Sequence, residues 1–319
     1  MEITLQINLS AGDLRYAELT VPALVKAHRA SVERILFVVD CCKPQRTKIV
    51  NPEKRFPEPE FSRRVEAICT LARRWQTEGL CTDLFLLQPE SDLVPILRSK
   101  YLGNMVNETH DYGACGLLSY LAGLEIPRTK YVLHYDADVL LFQKTGYDWA
   151  VEALAFMETS TSIVAASPRI SPPFSEQKKL PDAPSLHEGR PLTAINGGWL
   201  NDWFSTRCFL MDKEKLSKFL PLIKSRLLWE TLAIKLLNRG YPRSPEIMLF
   251  RSVGGAGGRR LNLSSENAWL LHPQTKPDLY VKILPEILKT VQVGSVPQEQ
   301  CGYSEINLAA WEKFLSARP

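Results

Sequence analysis

The sequence has no long hydrophobic run. No stretch of the 319 residues approaches the roughly 20 consecutive apolar residues that cross a bilayer. The first ten residues, M-E-I-T-L-Q-I-N-L-S, also lack the basic start and the apolar core of a secretory signal. We therefore expect a protein that has no transmembrane segment and works in the cytoplasm.

Regularly spaced cysteine and a strong charge of one sign are also missing. The seven cysteines form no C-x-x-C pair, which argues against a disulfide scaffold and against a structural zinc site. Lys plus Arg number 39 and Asp plus Glu number 35. This excess is too small and too dispersed to predict nucleic acid or a membrane surface as a partner.

The strand and helix patterns alternate along the chain. Apolar residues alternate with polar ones from Ile3 to Leu9 and predict a strand, and residues 14–30 carry apolar residues at helical spacing. Arg34–Asp40, R-I-L-F-V-V-D, then predicts a second, buried strand that ends in an acid. A strand, a helix and a strand in this order are typical of the start of an α/β fold with a doubly wound sheet.

The segment Lys130–Phe142, K-Y-V-L-H-Y-D-A-D-V-L-L-F, has the strongest chemical pattern. Tyr131–Leu133 predicts a buried strand, and Asp136 and Asp138 follow at its carboxyl end. Two carboxylates one residue apart can bind one Mg²⁺ or Mn²⁺ together with phosphate oxygens. The alternative is an acidic surface turn. The apolar run Val139–Phe142 favours the metal site, because an unpaired buried carboxylate is costly.

The stretch Tyr131–Phe142 resembles the D-x-D strand of nucleotide-sugar-dependent glycosyltransferases of the GT-A fold, and the resemblance extends from Ile3 to Lys276. It implies an α/β, Rossmann-like GT-A fold: a mixed, mostly parallel sheet flanked by helices, with an acceptor-side lobe. We expect a single domain, with residues 1–138 as the nucleotide-binding half and residues 139–319 as the acceptor-binding half. The resemblance implies transfer of a sugar from a UDP- or GDP-sugar to a hydroxyl of a carbohydrate or other acceptor.

The resemblance also implies residues that contact the donor. Asp40, at the end of the second strand, would contact the base or the ribose, and a loop cap is the alternative. The helix before the D-x-D strand lies against the nucleotide in this family, which implies His110 and Asp111 as donor-site residues. A structural histidine is the alternative for His110. Asp111 or Thr109 is also predicted to cap that helix.

The stretch Leu271–Pro277, L-H-P-Q-T-K-P, resembles the closing motif His-x-x-Gly-x-Lys-Pro of several GT-A families, although the glycine position and the spacing differ. The resemblance implies that His272 is a third metal ligand beside Asp136 and Asp138. It also implies that Lys276 contacts the diphosphate of the donor. A neutral imidazole beside two carboxylates is a suitable set of ligands for Mn²⁺.

Two stretches of the second half predict irregular structure. Gly254–Gly258 lacks the Lys-Ser/Thr of a P-loop, and we interpret it as a hinge or lid that brings Arg259 or Arg260 over the diphosphate. Pro168–Thr193 holds five prolines before Pro191 and predicts a loop on the acceptor side.

Glu230 lies at the first turn of the predicted helix Leu228–Gly240, in a segment similar to the E-D-x-x-L-x-x-R-x-x-x-G element of inverting GT-A enzymes. In that element an acid faces the acceptor, but Thr231 stands here in place of the usual aspartate. The resemblance implies inverting transfer with Glu230 as the base, and a helix cap is the alternative. Asp202, beside Trp203, is the second candidate for the base.

Two other functions fit part of the pattern. A sugar nucleotidyltransferase shares the fold class, but it should carry a G-x-G-T-R loop with a lysine after the first strand, where this chain has S-A-G-D-L-R. A module that binds nucleotide sugars without catalysis would have the fold but no reason to retain metal ligands far apart in the sequence.

Overall fold

The computed structural model describes residues 2–174 and 192–317. Strands and helices alternate through the first half, as the sequence predicts, and a short 3₁₀ helix at Asp13–Arg15 follows the first strand. The elements of this half are β1 (Ile3–Ser10), α1 (Ala17–His28), β2 (Arg34–Asp40), α2 (Pro52–Arg55), α3 (Glu60–Thr77), β3 (Asp83–Leu87), α4 (Leu93–Leu102), α5 (Leu118–Glu125) and β4 (Tyr131–Asp136).

The second half contains shorter strands, and further 3₁₀ helices lie at Gly254–Ala256 and Gln298–Gln300. Of the predicted loop Pro168–Thr193, residues 175–191 lie outside the described residues. The elements of this half are β5 (Leu140–Gln143), α6 (Trp149–Thr159), β6 (Ile163–Ser167), β7 (Thr193–Ile195), β8 (Gly198–Asn201), β9 (Cys208–Asp212), α7 (Lys213–Ser217), α8 (Ser225–Leu236), α9 (Pro245–Ser252), β10 (Arg259–Leu263), β11 (Ala268–Leu271), α10 (Asp278–Gln292) and α11 (Leu308–Ser316).

Most strands form one nine-stranded sheet in the order β3-β2-β1-β4-β9-β6-β10-β8-β7. Strands β3, β2, β1 and β4 are mutually parallel, and β6 and β10 form another parallel pair. Strands β8 and β9 run against their neighbours. The prediction of a mixed, mostly parallel sheet is therefore confirmed. The continuous sheet joins the two halves of the chain, because β4 pairs with β9.

Helices cover both faces of the sheet, because successive strand residues point to opposite sides. Phe37 and Leu133 pack on one face with α1, α3, α6, α10 and α11. Leu36, Val38 and Val132 pack on the other face with α4, α5, α7, α8 and α9. The flanking helices of the predicted α/β class are thus present on both sides. Within the described residues, no helix is both long enough and apolar enough to cross a membrane.

Candidate active site

A cleft of about 260 Å³ opens where the parallel strands β1, β2 and β4 end. Strand register explains why it lies there: Ser10 pairs with Asp40, and Asn8 pairs with Asp136, so the carboxyl ends of neighbouring strands meet at one edge. We refer to it as the donor-side cleft. It brings together five residues that the sequence singles out, namely Asp40, His110, Asp136, Asp138 and Lys276.

Asp136 is held by a polar network beneath the cleft. The Tyr120 hydroxyl donates a hydrogen bond to its Oδ1 atom, and His134 Nε2 lies 3.3 Å from the same oxygen. The His134 ring is fully buried, stacks on Phe209 at 4.7 Å and contacts Gln6 through Nδ1. The carboxylate of Asp136 is therefore fixed in direction by the strand and by its neighbours.

Asp138 meets His272 because two short strands pair across the chain. Strand β5 is antiparallel to β11 with Leu140 opposite Leu271, so the residue just after β11 lies beside those just before β5. His272 Nε2 lies 3.4 Å from Asp138 Oδ1, and Lys276 Nζ lies 2.5 Å from Asp138 Oδ2. The three predicted residues therefore form one cluster.

The C-terminal segment holds His272 in place. The backbone N–H of His272 donates to the Ser304 carbonyl at 2.8 Å, and the N–H of Ile306 donates to the His272 carbonyl at 3.0 Å. Ser304 and Ile306 lie in the part of the chain that the family resemblance does not cover. It shows that residues near the C-terminus contribute to the site.

The charges around Asp138 make it a strong acid. Burial raises the pKa of this carboxyl, but the adjacent His272 and Lys276 outweigh burial and lower the pKa to about 2. Asp138 Oδ1 is buried and has no well-aligned hydrogen-bond donor among the described residues. A buried carboxylate oxygen is costly when it lacks a hydrogen bond. A cation bound beside His272 would give this oxygen the contact that it lacks.

The donor-side cleft is acidic. Asp13, Asp40, Asp136 and Asp138 line it, and Lys276 is the sole lysine or arginine among its described lining residues. Burial raises the pKa of Asp13 to about 6, against hydrogen bonds from Tyr16 and Ser10 that lower it. A nucleoside diphosphate would therefore meet a net negative surface unless a divalent cation accompanied it.

The donor set is compatible with such a cation. A carboxylate and an imidazole suit Mg²⁺ or Mn²⁺, and these ions are commonly held by one or two protein carboxylates together with substrate phosphates. Asp138 and His272 could provide this partial shell. Within residues 2–174 and 192–317, no group of three or more His, Cys, Asp or Glu side chains is placed so that it could hold a metal ion by itself. Asp136, the third predicted ligand, bonds to Tyr120 through one oxygen.

A second cleft of about 480 Å³ is lined by His272 and by Val139, the residue that follows Asp138. We refer to it as the acceptor-side cleft. Trp203 lines it and packs against Phe250 with ring centroids 5.1 Å apart, while Arg207 and Glu246 bring opposite charges to its wall. An aromatic face with charged groups suits a polar, ring-containing ligand.

Glu246 is one of two carboxylates of this cleft that sequence reasoning missed, the other being Glu305. Glu246 lies in the first turn of α9, where Ser244 caps the helix and Pro245 occupies a first-turn position. Its Oε1 atom accepts hydrogen bonds from Thr206 N at 3.1 Å and Thr206 Oγ1 at 3.3 Å, and the side chain lines the acceptor-side cleft. The S-P-E sequence is a helix-start signal that could have located this acid.

The two predicted candidates for the base lie elsewhere. Glu230 Oε1 is 3.0 Å from Arg226 Nε and 3.6 Å from Arg251 Nη1, and its side chain is absent from the lining of both clefts. Asp202 directly follows β8 and is also absent from both linings, although its neighbour Trp203 is present. Glu230 and Asp202 therefore do not line the acceptor-side cleft, whereas Glu246 does.

Asp111 and Arg259 bond to nearby backbone. Asp111 Oδ1 accepts from the N–H groups of Gly113 and Cys115, both at 2.8 Å. The predicted helix cap at Asp111 or Thr109 is wrong, because α5 begins at Leu118 without a side-chain cap. Arg259 begins strand β10 and donates to the carbonyls of Gly254 and Gly258. The glycine stretch leads into that strand through the 3₁₀ helix at Gly254–Ala256. Gly254 and Gly258 are buried.

Burial also acts on the histidine of the donor-side cleft. The pKa of His110 is lowered by burial, against the nearby acids Asp40 and Asp111, which raise it. Its Nε2 atom is 3.7 Å from Asp40 Oδ2, and its Nδ1 atom is 2.9 Å from Thr109 Oγ1. A neutral imidazole beside a carboxylate offers both donors and acceptors to a polar ligand.

No protein-family model and no curated protein sequence matches this chain. The chain is similar to the solved structure of S. aureus TarS in complex with UDP-GlcNAc, with 10% identity and a TM-score of 0.44 over 91% of this chain and 67% of that chain. A second structure of S. aureus TarS has 11% identity and a TM-score of 0.41 over 91% and 66%. An active-site mutant of LgtC has 12% identity and a TM-score of 0.34 over 81% and 72%.

Proposed function

We propose that this protein is a metal-dependent glycosyltransferase that moves a sugar from a nucleotide-diphosphate sugar to an acceptor hydroxyl. The observation that supports this most strongly is the junction of two clefts at one cluster. Asp138 and Lys276 line the donor-side cleft, and His272, which lies beside Asp138, lines the acceptor-side cleft. A bond that is broken at this cluster would lie between a nucleotide on one side and an acceptor on the other.

The reaction needs positive charge on the leaving group. The bond from the anomeric carbon to the diphosphate oxygen breaks, and its electron pair leaves with the diphosphate. Lys276 is positioned to neutralise this charge, and a cation held by Asp138 and His272 would supply further electrostatic stabilisation. Asp136, fixed by Tyr120, would orient the donor.

The reaction also needs a base on the acceptor side. The acceptor oxygen attacks the anomeric carbon opposite the leaving group, and its proton passes to a carboxylate within hydrogen-bond reach. We propose Glu246 for this role, because it lines the acceptor-side cleft and is held by Thr206. Glu230 remains the prediction from the sequence, although its side chain pairs with Arg226 and Arg251 and does not line the acceptor-side cleft.

A donor screen tests this function. The purified protein is incubated with individual UDP- and GDP-sugars and Mn²⁺, and release of UDP or GDP is followed by mass spectrometry. We expect slow donor hydrolysis with at least one nucleotide sugar and none when EDTA replaces Mn²⁺. Formation of a nucleotide sugar from a nucleoside triphosphate and a sugar phosphate would identify a nucleotidyltransferase instead. Binding without any turnover would identify a module that only binds.

A further inference from the structure

Helix α8 exposes an apolar stripe away from both clefts. Trp229 is 71% exposed, Leu236 is 87% exposed and Leu237, the next residue, is 61% exposed. Together with Leu232 they are four of the ten large apolar side chains exposed among the described residues, and they fall within nine positions of sequence. This concentration differs from the single exposed apolar residues that are normal on a protein surface.

The stripe follows helix geometry. Trp229, Leu232 and Leu236 are spaced at i, i+3 and i+7, which places them within an arc of about 60° on an α-helix. The other side of α8 is also apolar, since Leu227 is buried in the core and Leu228 and Ile234 pack against the core. A helix that is apolar on both sides is usually buried. We therefore expect a partner surface to cover the exposed side of α8.

Basic residues border this stripe. The Arg226 side chain is 86% exposed, and Lys235 and Arg239 are exposed beside the leucines. Lys48 donates to the Leu237 carbonyl at 3.4 Å and adds a further charge at the end of the helix. The acid of the helix, Glu230, lies close to both Arg226 and Arg251, so the local balance is positive. The small net charge of the whole chain does not reflect this local excess of basic residues around α8.

We propose that this surface, defined by Trp229, Leu232, Leu236 and Leu237 and called the Trp229 face, docks on a lipid bilayer that carries anionic headgroups. The combination of tryptophan and leucine with flanking lysine and arginine is typical of helices that lie in the membrane interface. Trp229 would sit at headgroup depth, the leucines would enter the acyl boundary, and the basic side chains would contact phosphates. A second copy fits less well, because a twofold contact would oppose like charges.

Vesicle sedimentation tests this proposal on the full chain. We expect the protein to sediment with vesicles of phosphatidylcholine and phosphatidylglycerol, to bind pure phosphatidylcholine much more weakly, and to be released by salt. The double substitution Trp229→Ser with Leu236→Ser should lower the partition coefficient by about tenfold or more. Val293→Ser is the matched control, because Val293 is 75% exposed on another helix end and should leave binding unchanged.

A charge substitution gives an independent readout. Arg239→Glu should weaken binding to the anionic vesicles, whereas Lys282→Glu, an exposed position on α10, should not. Equal binding of the Trp229→Ser/Leu236→Ser variant and the Val293→Ser control would overturn the proposal, as would no binding by the wild type. A wild-type dimer in light scattering that the double substitution converts to a monomer would also overturn it and assign the face to a second copy.

Discussion

Single carboxylates in this protein differ mainly in what surrounds them. Asp136 is fixed by Tyr120, Asp138 is paired with Lys276, and Glu230 faces two arginines. Among the described residues, Glu246 accepts hydrogen bonds from Thr206 alone, through one oxygen, and it lines a cleft. A general base needs access to the proton that it removes, and of these four carboxylates Glu246 is the one that lines the acceptor-side cleft.

The first residue-scale prediction concerns this base. Glu246→Gln keeps the hydrogen bonds from Thr206 and removes the basicity, so kcat should fall by about a hundredfold or more while donor KM changes little. Steady-state kinetics with a donor found by the screen would measure this. Glu230→Gln is the matched control and should remain near the wild-type kcat. The reverse pattern would assign the base to Glu230, and a loss only in Asp202→Asn would assign it to Asp202.

A second residue-scale prediction concerns the leaving group. Lys276→Met removes the ammonium group that lies 2.5 Å from Asp138 while keeping much of the side-chain length. We expect kcat/KM for the nucleotide sugar to fall by about tenfold or more, because charge on the departing diphosphate is then less compensated. Lys282→Met, on the exposed surface of α10, is the control. An unchanged kcat/KM in Lys276→Met would remove this lysine from the mechanism.

At the scale of single elements, the start of α6 ties two parts of the fold together. Asp148 caps the helix by accepting from Ala150 N at 2.8 Å, contacts buried His28 at 3.3 Å and accepts from Ser31. Asp148→Ala should therefore lower the free energy of unfolding by about 1–3 kcal/mol. Urea denaturation at pH 7 would measure it, and Asp148→Asn should lose less because it keeps an acceptor for the cap.

The same element has a defined pH dependence. Burial raises the pKa of Asp148, but the contact with His28 outweighs it and leaves the pKa below the ordinary value of 3.8. A lowered pKa in the folded state stabilises the protein above the unfolded value and is lost as pH falls through the folded value. The stability difference between wild type and Asp148→Asn should therefore shrink below about pH 4. A difference that grows on acidification would contradict this assignment.

Prediction from sequence worked for elements whose signal is local. The apolar runs of β1 and β2 predicted the bounds of these strands to within one residue, whereas that of β4 predicted its start but not its continuation to Asp136. The four-residue strands β5 and β11 were not predicted, because their pairing joins segments more than a hundred positions apart. That pairing brings His272 to Asp138, so only the family resemblance indicated the contact. The role of α9 was missed for the same reason, since the position of Glu246 depends on tertiary packing.

At the scale of the whole molecule, one continuous sheet crosses the boundary between residues 1–138 and 139–319. We propose that the two halves form a single cooperative domain. Scanning calorimetry should give one transition, with calorimetric and van't Hoff enthalpies that agree, and UDP with Mn²⁺ should raise its midpoint. Two separated transitions would show instead that the halves unfold independently.

The proposed mechanism requires that a divalent cation joins a nucleoside diphosphate to Asp138. Isothermal titration calorimetry of UDP and GDP, with Mn²⁺ and then with EDTA, measures this directly on the wild type, on Asp138→Asn and on a control, Asp83→Asn. Asp83 begins β3 at the opposite edge of the sheet, so its substitution removes the same charge away from the cleft. We predict that Mn²⁺ tightens binding by about tenfold or more in the wild type and the control and has little effect in Asp138→Asn. Binding that is equal with Mn²⁺ and EDTA in the wild type, or a full response to Mn²⁺ in Asp138→Asn, would contradict the account.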